Sequence, residues 1–201
     1  MIQKTPDLER AARAIEEFLD ALGTPVSSDP ELAGTGRRVA EAFGLELLAG
    51  YRMDPAEILG DSTGSTSSGL IVVSAIATTT MCPHHLLPAS GLLHVAYLPG
   101  KNVVGLGAIA RLVECYARRL ILQEDLGDSI ARALVEHLGA RGAGVIVDLS
   151  PSCVTARGAR QAHARAVTSA FAGEMASEAS LRSEMHSCIA LSMRNTSSLS
   201  G

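Results

Sequence analysis

An α+β fold, in which an antiparallel sheet carries two helices on one face, is predicted for this 201-residue chain by three observations. Strand-like apolar runs come in pairs, at 70–76 and 90–98 and again at 145–149 and 153–157. Two segments with helical apolar spacing lie between the pairs. The order strand, strand, helix, helix, strand, strand suits neighbouring hairpins with both helices packed on one side.

The elements follow in order. Leu8, Ala11, Ile15, Phe18 and Leu22 recur at helical spacing among charged neighbours and predict an amphipathic helix ending near Gly23. A second helix is predicted from about Arg37 to Leu48, with Val39, Phe43 and Leu47 on its buried side. Residues 1–60 therefore read as a helical arm, and 61–69, rich in Ser, Thr and Gly, as a flexible loop. The main body spans 70–192. It opens with the β-branched run Leu70–Ile76 and continues into Ser90–Leu98, where Leu93, Val95 and Tyr97 alternate with His94 and Ala96. Pro99-Gly100-Lys101-Asn102 is turn chemistry. Ile109, Leu112, Val113 and Tyr116 mark one helix; Leu126, Ile130, Leu134 and Leu138 mark the next. Gly139–Gly144 resets the chain before the strand-like Val145–Leu149 and Cys153–Arg157, with one more strand expected within Gln161–Ser169. Residues 193–201 read as a disordered tail.

Composition narrows the function. A net charge of −4 provides no basic field for a nucleic-acid backbone, and 3% aromatic content without Trp provides no base-stacking platform. No apolar run approaches the ~18 residues of a membrane span, and Met1–Leu22 is charged throughout, so neither membrane nor export is expected. Four scattered cysteines, Cys82, Cys115, Cys153 and Cys188, do not make a disulfide framework and point to a reducing, cytoplasmic setting.

The chemistry concentrates in Thr80-Met81-Cys82-Pro83-His84-His85. A cysteine and a histidine three positions apart can close on one metal, and thiolate and imidazole are ligands that zinc prefers. A single further protein ligand would leave a coordination position open, the arrangement of a catalytic site. Cys153, in the second half of the same block, is either that ligand or a small core residue. Cys115 and Cys188 sit among apolar neighbours at helical positions and read as core. His84 and His85 point in different directions on an extended backbone, which leaves one imidazole for metal and the other for proton transfer near neutral pH. Gln123-Glu124 reads on residues alone as helix capping, and Arg38, Arg111, Arg157 and Arg160 as solvated surface. If 153–157 is a strand, however, Arg157 shares a face with Cys153 and becomes a candidate for holding an anionic substrate group.

Met81-Cys82-x-His84-His85-Leu86-x-Pro88, Tyr97-Leu98-Pro99, Gly105-Leu106-x-x-Ile109-Ala110-Arg111-Leu112-Val113-Glu114, Gln123-Glu124-x-Leu126, Cys153-Val154-x-Ala156-Arg157-Gly158 and Val167-Thr168-Ser169 follow one another along the chain. Together these motifs resemble the GTP cyclohydrolase I family. The resemblance runs from about Ala11 through Ile189. It implies a T-fold of four antiparallel strands and two helices, assembled into a homodecamer with sites between subunits. It further implies Zn²⁺ on Cys82, His85 and Cys153 and proton transfer by His84. Gln123 and Glu124 match positions that hold the purine edge, and Arg38, Arg111 and Arg157 match positions that hold a triphosphate. The implied reaction opens the imidazole ring of GTP, releases C8 as formate and rebuilds the ribose carbons into dihydroneopterin triphosphate.

The chain departs from the family at three pocket positions. Pro83 stands where the family usually has Glu, Gly107-Ala108 where it has Ser-Lys, and Pro151 where it has a second catalytic histidine. Proline has no proton to give, and His163 is the nearest replacement. A straight strand at about 3.3 Å per residue would leave His163 about 33 Å from Cys153, so a reversal near Gly158–Gln161 is required. Three expectations follow: a GTP cyclohydrolase, a zinc hydrolase of the same fold opening a different ring without a triphosphate, or a zinc-bound module without turnover.

Overall fold

Asp7 begins the first helix by accepting the Arg10 N–H on its carboxylate, and α1 (Leu8–Ala21) packs against α2 (Thr35–Glu41). The computed structural model describes residues 5–197, so the first four residues of the predicted arm lie outside the described residues. A π-helical segment, Ala42–Leu47, continues α2 and completes the second predicted helix. The arm ends in α3 (Pro55–Gly60), which the spacing analysis did not resolve; Asp54 caps it by accepting the Ala56 N–H, and Pro55 occupies the first position, where no N–H is needed.

The predicted loop 61–69 is partly ordered: β1 (Ser62–Gly64) pairs with β4 (Asn102–Val104) in a small ribbon whose strands are too short to show alternation. The main sheet has the order β2 (Ile71–Met81), β3 (Pro88–Leu98), β5 (Gly142–Pro151), β6 (Ala166–Gly173), every neighbouring pair antiparallel. On one face lie α4 (Leu106–Ala117) and α5 (Gln123–Leu138), as predicted. Leu93, Val95 and Tyr97 of β3 and Val145, Val147 and Leu149 of β5 meet Ile109, Leu112, Leu126, Ile130 and Leu134 in one core. Gly139, in the left-handed conformation at φ 71°, stops α5.

Two expectations are corrected. Residues 153–157 are not a strand: β5 ends at Pro151, and Ser152–Thr155 form the one-turn helix α6. Proline cannot donate to a further ladder bond, so the strand stops there. Residues 193–197 belong to α8 (Ala179–Ser197), which follows the short α7 (Glu174–Ser177), while 198–201 lie outside the described residues. Met185, Leu181 and Ile189 of α8 cover Ala96, Ile146 and Phe171 on the sheet face away from α4 and α5. No helix among the described residues is long and apolar enough to cross a membrane.

A bulge adjusts β2 to both layers. Val73 pairs with Val95 and Ile76 with Leu93, so Ser74 and Ala75 oppose the single residue His94. Ala75 takes a positive φ of 58° and donates its N–H to His94 Nδ1 at 3.2 Å, and Ser74 Oγ meets Ser192 Oγ of α8 at 2.5 Å. The extra residue lets Val73 and Ile76 both reach the core beneath α4 and α5. His94 is 6% exposed, and burial pushes its pKa below the ordinary value, opposed by Asp148. The native state therefore holds His94 neutral, as its role as acceptor requires, whereas the unfolded chain binds a proton below about pH 6.5. Stability attributable to His94 is present above that pH and is lost as pH falls from there through the native pKa. Chemical unfolding between pH 7.5 and 5 is expected to show this decline in the parent and a shallower one in His94→Gln; equal slopes would refute it.

Candidate active site

One end of the sheet gathers the chemistry. Pro88 opens β3 opposite Met81, and the next residue, Ala89, pairs with Pro151. Cys82, just beyond Met81, and Cys153, on α6 just beyond Pro151, consequently flank the start of the same strand. The 82–87 turn is closed by Cys82 N–H to Leu87 O at 3.0 Å and Leu86 N–H to Cys82 O at 2.9 Å, with Leu86 at φ 53°. This fold-back carries His85 towards Cys82, whose Sγ lies 4.0 Å from His85 Nδ1.

The ligand atoms of Cys82, His85 and Cys153 all lie within 4.8 Å of one another. Tetrahedral zinc with bonds of about 2.3 Å to sulfur and 2.0–2.1 Å to nitrogen places its ligand atoms roughly 3.5–3.8 Å apart, so small side-chain rotations close this group on an ion. The donor set and spacing fit a metal that prefers thiolate and imidazole. His84 is not part of this group: its ring lies 6.3 Å from that of His85 and nearly perpendicular, at 84°, and both residues sit on a turn rather than on the extended backbone expected.

The segment between α4 and α5 reaches the same end. Leu120 bridges Met81, and Ile121 donates its N–H to Met81 O at 3.3 Å, so α5 starts, at Gln123 and Glu124, shortly after a segment tied to the end of β2 that leads to Cys82. Glu124 is exposed. The arm secures this segment through Gly50 N–H to Arg118 O, Leu120 N–H to the Tyr51 hydroxyl, and the Arg119 guanidinium, which donates to Gly50 O and Cys115 O and stacks over Tyr116. The ties to Gly50 and Tyr51 carry no local sequence signal, because each joins residues far apart in the chain.

The remaining predicted residues are less gathered. Arg38 donates to Ala33 O at 2.8 Å, Thr35 Oγ1 at 2.9 Å and Glu31 O at 3.3 Å, which commits its guanidinium to its own loop. Arg111 and Arg157 are exposed; the strand parity that linked Arg157 to Cys153 does not apply, because Cys153 lies on a helical turn. Ala108 is buried in the core. His163 is exposed on the segment after α6, and the required reversal is present: Gly158 and Arg160 have positive φ, and Gln161 donates its N–H to Val154 O at 3.2 Å. Cys115 is fully buried, as expected, and burial raises its pKa. A cleft of about 400 Å³ lies elsewhere, between the arm, β2 and α4, lined by Leu47, Thr78, Gly91, Val113 and Glu114 and by none of the metal group.

A four-stranded antiparallel sheet with paired helices and, at its rim, a Cys–His–Cys group that could hold a metal ion defines an α+β protein. Comparison with known proteins makes the class specific. The GTP cyclohydrolase I family model matches residues 11–190. Relatives named GTP cyclohydrolase 1 include one from Campylobacter lari, 40% identical over 90% of this chain and 95% of its own. Another, from Chromobacterium violaceum, is 39% identical over 86% of this chain and 83% of its own, and one from Bifidobacterium longum is 41% identical over 85% of each. Among solved structures, the archaeosine synthase QueF-Like in the apo form is similar over 54% of this chain and 97% of its own, with a TM-score of 0.44 and 18% identity. The chain belongs to the GTP cyclohydrolase I family, and it is an enzyme of the cyclohydrolase class, acting on ring C–N bonds.

Proposed function

We propose that this protein is a zinc-dependent cyclohydrolase that opens the imidazole ring of GTP with net consumption of water, releasing C8 as formate and yielding dihydroneopterin triphosphate. The observation that carries the proposal is the convergence of Cys82, His85 and Cys153 within 4.8 Å at the ends of two strands. Bound there, zinc supplies Lewis acidity and lowers the pKa of a coordinated water to about 7. His84, next to this group but not one of its members, transfers protons at the ring atoms. Glu124, beside Gln123 at the start of α5, meets the purine, and Arg111 and Arg157 meet the phosphates, joined by Arg38 if its loop releases it.

His84, His85, Glu124, Arg111 and Arg157 are all exposed in the single chain, which favours a homo-oligomer whose neighbouring copy encloses the substrate. The family resemblance puts that assembly at ten subunits. A second reading, in which the ring opened carries no triphosphate, is favoured by the engagement of Arg38 with its own loop and by the burial of Ala108.

The deciding assay incubates zinc-loaded protein with GTP, guanosine and non-purine heterocycles and follows formate and pterin fluorescence. Formate and pterin from GTP are expected; turnover only of a ring lacking the triphosphate would replace the first reading by the second. In the same assay His163→Ala is expected to lower kcat by about 10²–10⁴-fold, the range of a positioned general acid or base, because Pro151 cannot act. An unchanged kcat would remove His163 from the mechanism.

A further inference from the structure

Gln123 and Glu124 are neighbours with opposite commitments. The Gln123 side-chain amide is half-buried and donates from Nε2 to Val147 O of β5 at 3.0 Å and to Ala166 O of β6 at 2.7 Å, with Thr168 Oγ1 at 3.5 Å. The two carbonyls settle which end of the amide faces them, since only the nitrogen can donate. An NH₂ group has two hydrogens, and both are engaged here. Glu124 is exposed and makes no hydrogen bond or ion pair among the described residues.

The start of α5 needs such an anchor. Leu122 occupies the cap position and supplies no side-chain acceptor, so this helix lacks the usual means of fixing its first turn. Two ties replace it: Ile121 N–H on Met81 O, on the strand leading to Cys82, and the Gln123 amide across β5 and β6. The residue between sheet and solvent on this pinned turn is Glu124.

We infer that Gln123 is a positioning residue, which uses both amide hydrogens to hold the first turn of α5 on the β5–β6 ladder and so sets the direction of the Glu124 carboxylate towards the substrate. This rests on the proposed function for the identity of the substrate, but not for the anchor itself. The nitrogen of Gln123 is spent on the protein and does not contact the purine; the donors of Gln123, not its oxygen, carry the role.

Two changes, the first of them isosteric, separate donor from acceptor. Gln123→Glu keeps acceptor oxygens and loses both donors, facing a carboxylate onto two carbonyls; Gln123→Lys keeps a donor group and loses the acceptor. Gln123→Met, neutral and of similar length, stands in for the Glu variant if the added charge unfolds the chain. Two readouts are taken on the zinc-loaded full chain: the KM for GTP, and amide hydrogen exchange at Leu126 and Gly127 without substrate. The Glu and Met variants are expected to raise KM about tenfold or more, as loss of two hydrogen bonds of ordinary strength implies, and to speed exchange. Gln123→Lys is expected to recover a large part of both. The inference is overturned if the Glu variant keeps parental exchange and KM while the Lys variant loses KM, the pattern of a direct substrate acceptor. Absence of formate from the parent would sink the functional reading, while exchange would still decide the anchor.

Discussion

Cys153→Ala is expected to leave the protein without zinc and formate release from GTP at background. The thiol is one of three ligand groups that the ends of β2 and β5 bring within 4.8 Å, and no other such group of metal-binding side chains occurs among the described residues. Disturbing a residue that merely orients a ligand costs about 10–100-fold in metal affinity, so deleting a ligand should cost more. Stability should fall as well. An ion held between the 82–87 turn and α6 ties β2 to β5 across β3, and metal present at about 1,000 times its Kd stabilises the native state by about 4 kcal/mol. Chelation of the parent should therefore lower its Tm and leave that of Cys153→Ala unchanged. Cys188→Ala, on α8 and outside the metal group, is the control and should retain stoichiometric zinc. Full zinc in Cys153→Ala, measured by elemental analysis, would exclude Cys153 as a ligand.

His84→Ala is expected to retain zinc and lose about 10²–10⁴-fold in kcat, the range for a proton-transfer group. The two histidines share a turn, but only one joins the ligand group: Nδ1 of His85 lies 4.0 Å from Cys82 Sγ, whereas the His84 ring, 6.3 Å from that of His85, is outside it. The pair of single variants should thus separate two functions, His85→Ala losing metal and His84→Ala losing turnover with metal in place. Parental kcat in His84→Ala would remove it from the reaction, and loss of zinc would make it a ligand instead.

How much of this was legible in the chain differs by the range of the interactions involved. The periodic segments were: Leu93, Val95 and Tyr97 alternate as a strand must, and Leu126, Ile130 and Leu134 repeat as a helix must, and all six are core residues. The Cys82–His85 pairing was also legible, because four consecutive positions contain it. Cys153 was legible as a residue but not in its conformation, since Cys153-Val154-Thr155 has the β-branched character of a strand and only the preceding Pro151 stops the ladder. The bulge at Ser74–Ala75 was hidden, because neither residue carries the glycine that usually marks a positive φ. The ties of Leu120 and Ile121 to Met81, and of Gln123 to two strands, could not be read at all. They arise when distant segments meet, and Gln123 in particular looks like an ordinary first-turn residue until β5 and β6 are placed beneath it.

X-ray absorption at the zinc edge of the purified, metal-loaded protein tests the central claim most directly. Two sulfur neighbours at about 2.3 Å with lighter nitrogen or oxygen neighbours at about 2.0–2.1 Å are predicted, the sulfur count falling to one in either cysteine variant that still binds metal. A shell with no sulfur, or one unchanged by loss of Cys82 or Cys153, would contradict it.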